Sequence, residues 1–235
     1  MKNSIQLLLL TICLALGAGT ADAKKTEWGN LKRYASSDSA LRVDGIPSDA
    51  VVFIGNSITD HWYKKHPEFF TDNNFIGRGI SGQVTAQFLV RFRNDVVSYS
   101  PAAVVINGGI NDIAENQYEY NEDLTFGNIV SMAEIANANG ITVIITSVLP
   151  ASHIPWNQEI TEVPDKVTSL NGRLEEYARE HGYAYIDYYT PMVFGDNRAL
   201  NPDYTYDGVH PTLEGYAVME QLAIPVIKEA LARKK

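Results

Sequence analysis

A serine, a histidine and an aspartate in this chain have the types and settings that nucleophilic acyl transfer needs. Ser57 follows the apolar run Val51-Val52-Phe53-Ile54 and the pair Gly55-Asn56. A serine hydroxyl is a weak nucleophile until a neighbouring base takes its proton. His210 can be that base, because imidazole titrates near neutral pH. Asp207 precedes His210 by three residues, a spacing at which a turn brings both side chains to one side. A carboxylate there would hold the imidazole in one tautomer and stabilise its cationic form. The tetrahedral intermediate of acyl transfer carries an oxyanion that needs hydrogen-bond donors. Its candidate donors are the backbone N–H groups of Ser57 and Gly82 and the side-chain amide of Asn111. Gly82 is chosen because a residue without Cβ lets backbone approach a ligand closely.

Each residue also has a purely structural reading. Ser57 suits a helix cap, Gly79 and Gly82 a turn, Asn111 an Asx-turn, and His210 an exposed site ahead of a helix. The conjunction, in this order, is what points to catalysis.

The elements that would position these residues alternate along the chain. Short apolar runs at Val51 to Ile54, Asn74 to Gly77, Ala103 to Ile106, Ile141 to Thr146 and Tyr183 to Asp187 read as buried strands. Helical patterns fill the gaps: about Val84 to Val97, Leu124 to Ala138, Asp165 to Glu180, and a last helix from near Pro211 to about Arg233. In the first of these, Val84, Phe88, Phe92 and Val96 recur every four residues. The pattern predicts an α/β fold: a five-stranded parallel sheet of flavodoxin-like order 2-1-3-4-5, with helices on both faces. Ser57, Gly79 and Gly82, Asn111, and the Asp207–His210 pair then all follow strands, at the sheet edge where ligands bind in such folds. Elsewhere, Asn30 to Ala35 reads as a short helix, with Trp28 and Tyr34 free to pack it onto the main domain. His61 to Phe70 reads as helix or loop with solvated His61 and His66, and Thr190 to Tyr206 as irregular.

Composition narrows the class. The chain has 235 residues, 45% of them hydrophobic, enough to bury a sizeable core in one domain over 24–235. A formal net charge of −9 argues against a nucleic-acid partner and against a basic membrane-surface protein. Residues 1–23 read as a signal peptide: Lys2, an apolar run from Ile5 to Leu16, and the cleavage pattern Ala21-Asp22-Ala23. The expected location is therefore periplasmic or extracellular, with no membrane span in the mature chain. Cys13 is the single cysteine and lies inside that leader, so the mature chain has no thiol. No H-E-x-x-H or other ligand cluster occurs, so no metal is expected, and no P-loop or dinucleotide fingerprint is present.

Four blocks resemble those of the SGNH (GDSL-type) esterases and lipases: Gly55-Asn56-Ser57-Ile58, Gly79-Ile80-Ser81-Gly82-Gln83, Gly108-Gly109-Ile110-Asn111-Asp112 and Asp207-Gly208-Val209-His210-Pro211. The resemblance covers about residues 50–230. It implies a three-layer α/β/α fold, a Ser57 nucleophile, oxyanion donors at Ser57, Gly82 and Asn111, an Asp207–His210 pair and no cofactor. Asn56 and Ile58 stand where the family name has Asp and Leu, so the turn is expected to be stabilised differently. The first block also lacks the second glycine of the G-x-S-x-G elbow of α/β-hydrolases.

The expectation is an exported serine esterase acting on short acyl groups, foremost acetyl, on a carbohydrate. A lysophospholipase or acyl thioesterase is the enzymatic alternative, and a glycan-binding module that has lost catalysis is the other. Trp156, Arg198 and Tyr206 are the candidate substrate-binding residues, with His153, Asn157 and Tyr204 nearby in sequence.

Overall fold

The computed structural model describes residues 27–233, so the leader expected at 1–23 lies outside the described residues. The strand β1 (Val51–Gly55), flanked by a strand on each side, is buried along its whole length. Branched and aromatic side chains suit a pleated strand, and burial on both faces requires neighbours on every side. β1 pairs in parallel with β2 (Phe75–Gly79) and with β3 (Ala103–Asn107). β4 (Thr142–Thr146) and β5 (Ala184–Ile186) extend the sheet, giving the five-stranded order β2-β1-β3-β4-β5. The fold class and strand order are those read from the sequence.

Helices cover both faces. On one side, α2 (Ser57–Lys65) and α3 (Pro67–Thr71) pack over β1 and β2. Phe53 from β1 enters an aromatic cluster with Trp62, Phe69, Phe70 and Phe75, its ring centroids 5.0–6.2 Å from theirs. Each such pair adds about 0.5–1.5 kcal/mol beyond simple burial. Trp62 also stacks on Tyr216 of the last helix, Leu213–Ala232, joining α2 to it. The other face carries α4 (Thr85–Asp95), then, beyond the short α5 (Ile110–Ile113), α6 (Glu122–Ala138) and α7 (Val163–His181). The repeat Val84, Phe88, Phe92 and Val96 is the fully buried stripe of α4 and its caps.

Three expectations are corrected. Of the helix expected over Asn30 to Ala35, residues 30–34 are turns: Asn30 adopts a left-handed φ of 50°, and tight turns run through Arg33 and Ala35 into α1 (Ala35–Asp44). Tyr34 does pack inward, its hydroxyl donating to the Gly79 carbonyl, while Trp28 stays exposed and donates to Gln117. The stretch 190–206 has more order than expected: α8 (Tyr189–Met192) leads into a two-stranded hairpin, β6 (Val193–Phe194) and β7 (Ala199–Leu200). The last helix, α9, starts at Leu213 rather than near Pro211. Thr212 wins the cap, its hydroxyl accepting from Gly215 N, while Pro211 is held in an antiparallel bridge to Thr205. Pro225 sits inside α9 on an exposed turn, where water can satisfy the carbonyl of exposed Gln221 that its missing N–H leaves open.

The register places Gly55, Gly79 and Asn107 level at the carboxyl end of the three adjacent strands β1, β2 and β3. There α2 crosses the tip of β2 almost without clearance. A Cβ at Gly79 would lie 2.1 Å from the Asp60 amide nitrogen and 2.6 Å from the Thr59 carbonyl carbon. Gly79→Ala should therefore lower stability by about 1–3 kcal/mol or more through backbone overpacking. Gly127→Ala, in the middle of α6 with nothing within 4 Å of a new Cβ, should raise it by about 0.5–1 kcal/mol. Urea unfolding of the two variants checks both signs, and equal midpoints would contradict the packing described.

Candidate active site

Ser57 is the first residue of α2, delivered by the turn out of β1. Asn56 caps the helix, its Oδ1 accepting the Ile58 N–H at 3.0 Å. The amide thus supplies the capping oxygen without the negative charge of an aspartate. The helix entry leaves Ser57 only 7% exposed, with its hydroxyl turned to the chain's distant C-terminal part. Ser57 Oγ lies 2.8 Å from His210 Nε2, and His210 Nδ1 lies 2.7 Å from Asp207 Oδ2. With the proton on Nδ1 donated to the carboxylate, Nε2 is left to accept from the serine hydroxyl.

The loop before α9 is built to hold that pair. Asp207 Oδ1 accepts the backbone N–H groups of Val209 and His210 at 2.9 and 2.7 Å, an Asx-turn that leaves Oδ2 for the imidazole. Thr205 Oγ1 accepts from Gly208 N and donates to the His210 carbonyl at 2.8 Å. Burial pushes the Asp207 carboxyl up, but the hydrogen bonds from the His210 and Val209 N–H groups and from the His210 ring outweigh it. The net shift is below the usual aspartate value.

The oxyanion candidates meet the serine from the other side. Gly82 has φ +80°, and a Cβ there would meet nothing within 4 Å. The left-handed backbone, not lack of space, is what favours glycine. Asn111, 1% exposed, donates from Nδ2 to the Gln83 carbonyl at 2.9 Å, which leaves the second N–H of that amide for the cleft. Ser57, Gly82, Asn111 and His210 together line one cleft of about 310 Å³, with His61, Ser81, Asn116 and Trp156. A larger hollow, about 720 Å³, lies at the opposite end of the strands beside Asp49, Pro101 and Lys228, away from Ser57 and His210.

The substrate candidates divide. Trp156 lines the cleft, its ring 5.6 Å from the His210 ring and its indole N–H donated to Asn116 Oδ1 at 2.8 Å. Tyr206 stacks on His210 from the rim at 5.8 Å. Arg198 does not reach the cleft: it is bound to Asp165 at 2.7 Å, because its left-handed φ of 53° sits in the turn of the β6–β7 hairpin. Of the neighbouring residues, His153 packs under Gly208 and Asn157 donates to the Ala114 carbonyl.

Sequence reasoning missed several residues in and around the cleft. His61 is not simply solvated: it lines the cleft with its ring 5.3 Å from that of His210. Burial, and next the His210 charge, hold its imidazole below the usual histidine value. Its position four residues after Ser57 on one helix was the available signal. His66 bonds Glu220 at 2.6 Å. Asp60 accepts from Ser81 Oγ at 2.7 Å and from Lys64 at 2.8 Å, tying α2 to the Gly82 loop. Asp112 is fully buried and receives both the N–H and the hydroxyl of Thr85 at the start of α4, plus Tyr118 OH. Burial pushes its carboxyl up. Among the described residues no cluster of three or more His, Asp or Glu is arranged to hold a metal ion, and no helix is long and apolar enough to cross a membrane.

The GDSL-like lipase/acylhydrolase family model matches residues 53–218. Among solved structures, a GDSL-like lipase from Bacteroides thetaiotaomicron is 56% identical, with a TM-score of 0.84 over 87% of this chain and 100% of its own. A candidate acylhydrolase from Bacteroides fragilis is 54% identical, with a TM-score of 0.85 over 87% of this chain and 99% of its own. An acetylxylan esterase from Geobacillus stearothermophilus shares the fold at 17% identity, with a TM-score of 0.60 over 78% of this chain and 95% of its own. No functionally curated protein matches.

Because the folded Asp207 carboxyl titrates below its unfolded value of about 3.9, its contribution to stability is complete above that value. It is lost as pH falls through the folded one. The stability gap between wild type and Asp207→Asn should thus close on acidification below about pH 4. Thermal unfolding of both proteins from about pH 5 downward measures it, and a gap that widens below about pH 4 would contradict the assignment.

Proposed function

The chain belongs to the GDSL-like lipase/acylhydrolase family, and on that premise we propose that it is an exported serine esterase that removes short acyl groups, foremost acetyl, from a carbohydrate alcohol. The observation that carries the reading is the line Ser57 Oγ–His210 Nε2 and His210 Nδ1–Asp207 Oδ2, at 2.8 and 2.7 Å, opening onto the cleft that Gly82 and Asn111 share.

In the proposed reaction His210 Nε2 takes the Ser57 proton as Oγ attacks the ester carbonyl carbon. The carbonyl oxygen becomes an oxyanion and accepts from the N–H groups of Ser57 and Gly82 and from Asn111 Nδ2. Collapse of the intermediate breaks the ester C–O bond, and His210 returns the proton to the leaving alcohol. Water, deprotonated by the same imidazole, then attacks the acyl-enzyme and releases the acid and free Ser57. Asp207 stays ionised throughout and stabilises the imidazolium.

The substrate preference is read from the cleft. A volume of about 310 Å³, shared with the alcohol, suits a small acyl group. Trp156, 44% exposed, presents a ring face beside His210 where the alcohol must leave, and Tyr206, 54% exposed, borders that exit with its ring stacked on His210 and Lys65 over it. Flat amphipathic rings with a polar edge suit a sugar, which has apolar faces and hydroxyl edges. Export rests on the leader read at residues 1–23.

The test is hydrolysis of a chain-length series of p-nitrophenyl esters by purified residues 24–235, with Ser57→Ala as the blank. Acetyl should be preferred and the blank inactive; preference for long acyl chains would favour the lysophospholipase reading instead, and glycan binding without turnover the inactive module. Asn111→Ala should reduce kcat by about 10²–10³-fold with KM little changed, as expected for a donor that acts in the transition state. A loss confined to KM would remove Asn111 from the oxyanion hole.

A further inference from the structure

Arg91 is wholly buried in α4, and the reaction described above does not use it. Its guanidinium makes three bonds in three directions. Nε donates to Gln83 Oε1 at 2.7 Å, Nη2 to the Gly55 carbonyl at 2.9 Å, and Nη1 to Asp95 Oδ2 at 2.7 Å. Gly55 lies two residues before Ser57, and its carbonyl also accepts the Ile80 N–H at 3.0 Å. Gln83 follows Gly82 directly, and the Gln83 carbonyl is the group that holds Asn111 Nδ2. Gln83 Nε2 is itself anchored on the Gly29 carbonyl at 3.1 Å. One rigid planar group therefore touches the turn that carries Ser57 and the loop that carries Gly82 and holds Asn111 through the Gln83 carbonyl.

Burying a guanidinium is costly even beside a carboxylate, and apolar residues of similar volume often replace such a pair without loss of stability. Stability alone gives no reason for an ion pair here. Geometry does: the planar fork fixes angles as well as distances, which an apolar contact cannot.

We propose that Arg91 and Gln83 are positioning residues, a buried strut that sets the spacing between Ser57 and the oxyanion donors at Gly82 and Asn111. The inference rests on the serine-esterase reading. A displacement of about 1 Å between reacting groups costs on the order of 100-fold in rate. The oxyanion donors act mainly in the transition state, so the loss should fall on kcat and not on KM.

The experiment replaces the whole pair, Arg91→Met with Asp95→Leu, so that no lone charge is left buried. Hydrolysis of p-nitrophenyl acetate and thermal unfolding are measured beside wild type and Ser57→Ala. The double variant should unfold within about 5 °C of wild type, yet lose about 100-fold in kcat with KM changed less than about threefold. A double variant that is folded and keeps kcat within about threefold of wild type overturns the proposal, as does a loss carried by KM alone. Should the double variant fail to fold, Gln83→Met cuts the link to the oxyanion loop, leaves the Arg91–Asp95 pair intact, and is judged by the same limits. Ser57→Ala separates the two claims: hydrolysis that survives it defeats the esterase reading, whereas hydrolysis that needs Ser57 but ignores the strut defeats only the positioning role.

Discussion

The structure depends on how closely one helix can approach the end of the sheet. α2 begins within two residues of β1 and immediately lies across the tip of β2, backbone against backbone, where Gly79 offers no Cβ. That contact brings the Ser57 end of the helix down to the level where β1, β2 and β3 finish together. The loops leaving β2 and β3 can then reach the serine within a few residues. Asp60, on the first turn of the same helix, uses the short distance to bind Ser81 directly. The aromatic cluster around Phe53 and Trp62 sits beneath this crossing and holds the helix down from the core side.

From that arrangement the site is assembled by pieces that check one another. Ser57 is placed by a helix cap, His210 by an Asx-turn within a small bridged loop, and Asn111 by a short helix whose Asp112 is locked to α4. Each device satisfies backbone polar groups at a chain reversal, and each also aims one functional side chain. The links from Asp112 to Thr85 and from Asn111 to Gln83 are buried, so they are strong. Trp156 belongs to the same network through Asn116, which also donates to the Gly82 carbonyl at 3.3 Å. The aromatic wall and the oxyanion loop are thus mechanically connected.

Much of this was legible in the residues. The parallel sheet and its order follow from apolar runs alternating with helical periodicity, because burial on both faces leaves a continuous apolar signature. The candidate site residues stood out because acyl transfer would need such types at strand ends, and Ser57, Gly82, Asn111 and His210 do share one cleft. The last helix start was misread because Pro211 and Thr212 both suit a helix entry, and the Thr205–Pro211 bridge that decides between them is a tertiary contact. Arg198 looked like a substrate residue by its nearness in sequence to His210, yet the hairpin turn sends it to Asp165. Asn116, Gln83 and Arg91 could not be read at all: their significance lies in partners 28 to 40 residues away or across the sheet. Local pattern reports what a segment wants to be, not which distant carbonyl it will meet.

The central claim is that Ser57 is a nucleophile activated by His210. It is tested most directly by a suicide substrate, diethyl p-nitrophenyl phosphate. Attack by Ser57 Oγ on phosphorus would expel p-nitrophenolate and leave a diethylphosphoryl ester that cannot turn over readily. Intact-protein mass spectrometry should show one added group, peptide mapping should place it on Ser57, and labelling should be absent in Ser57→Ala and much slower in His210→Ala. A folded wild-type protein that takes up no label, or one whose label persists in Ser57→Ala, would contradict the account.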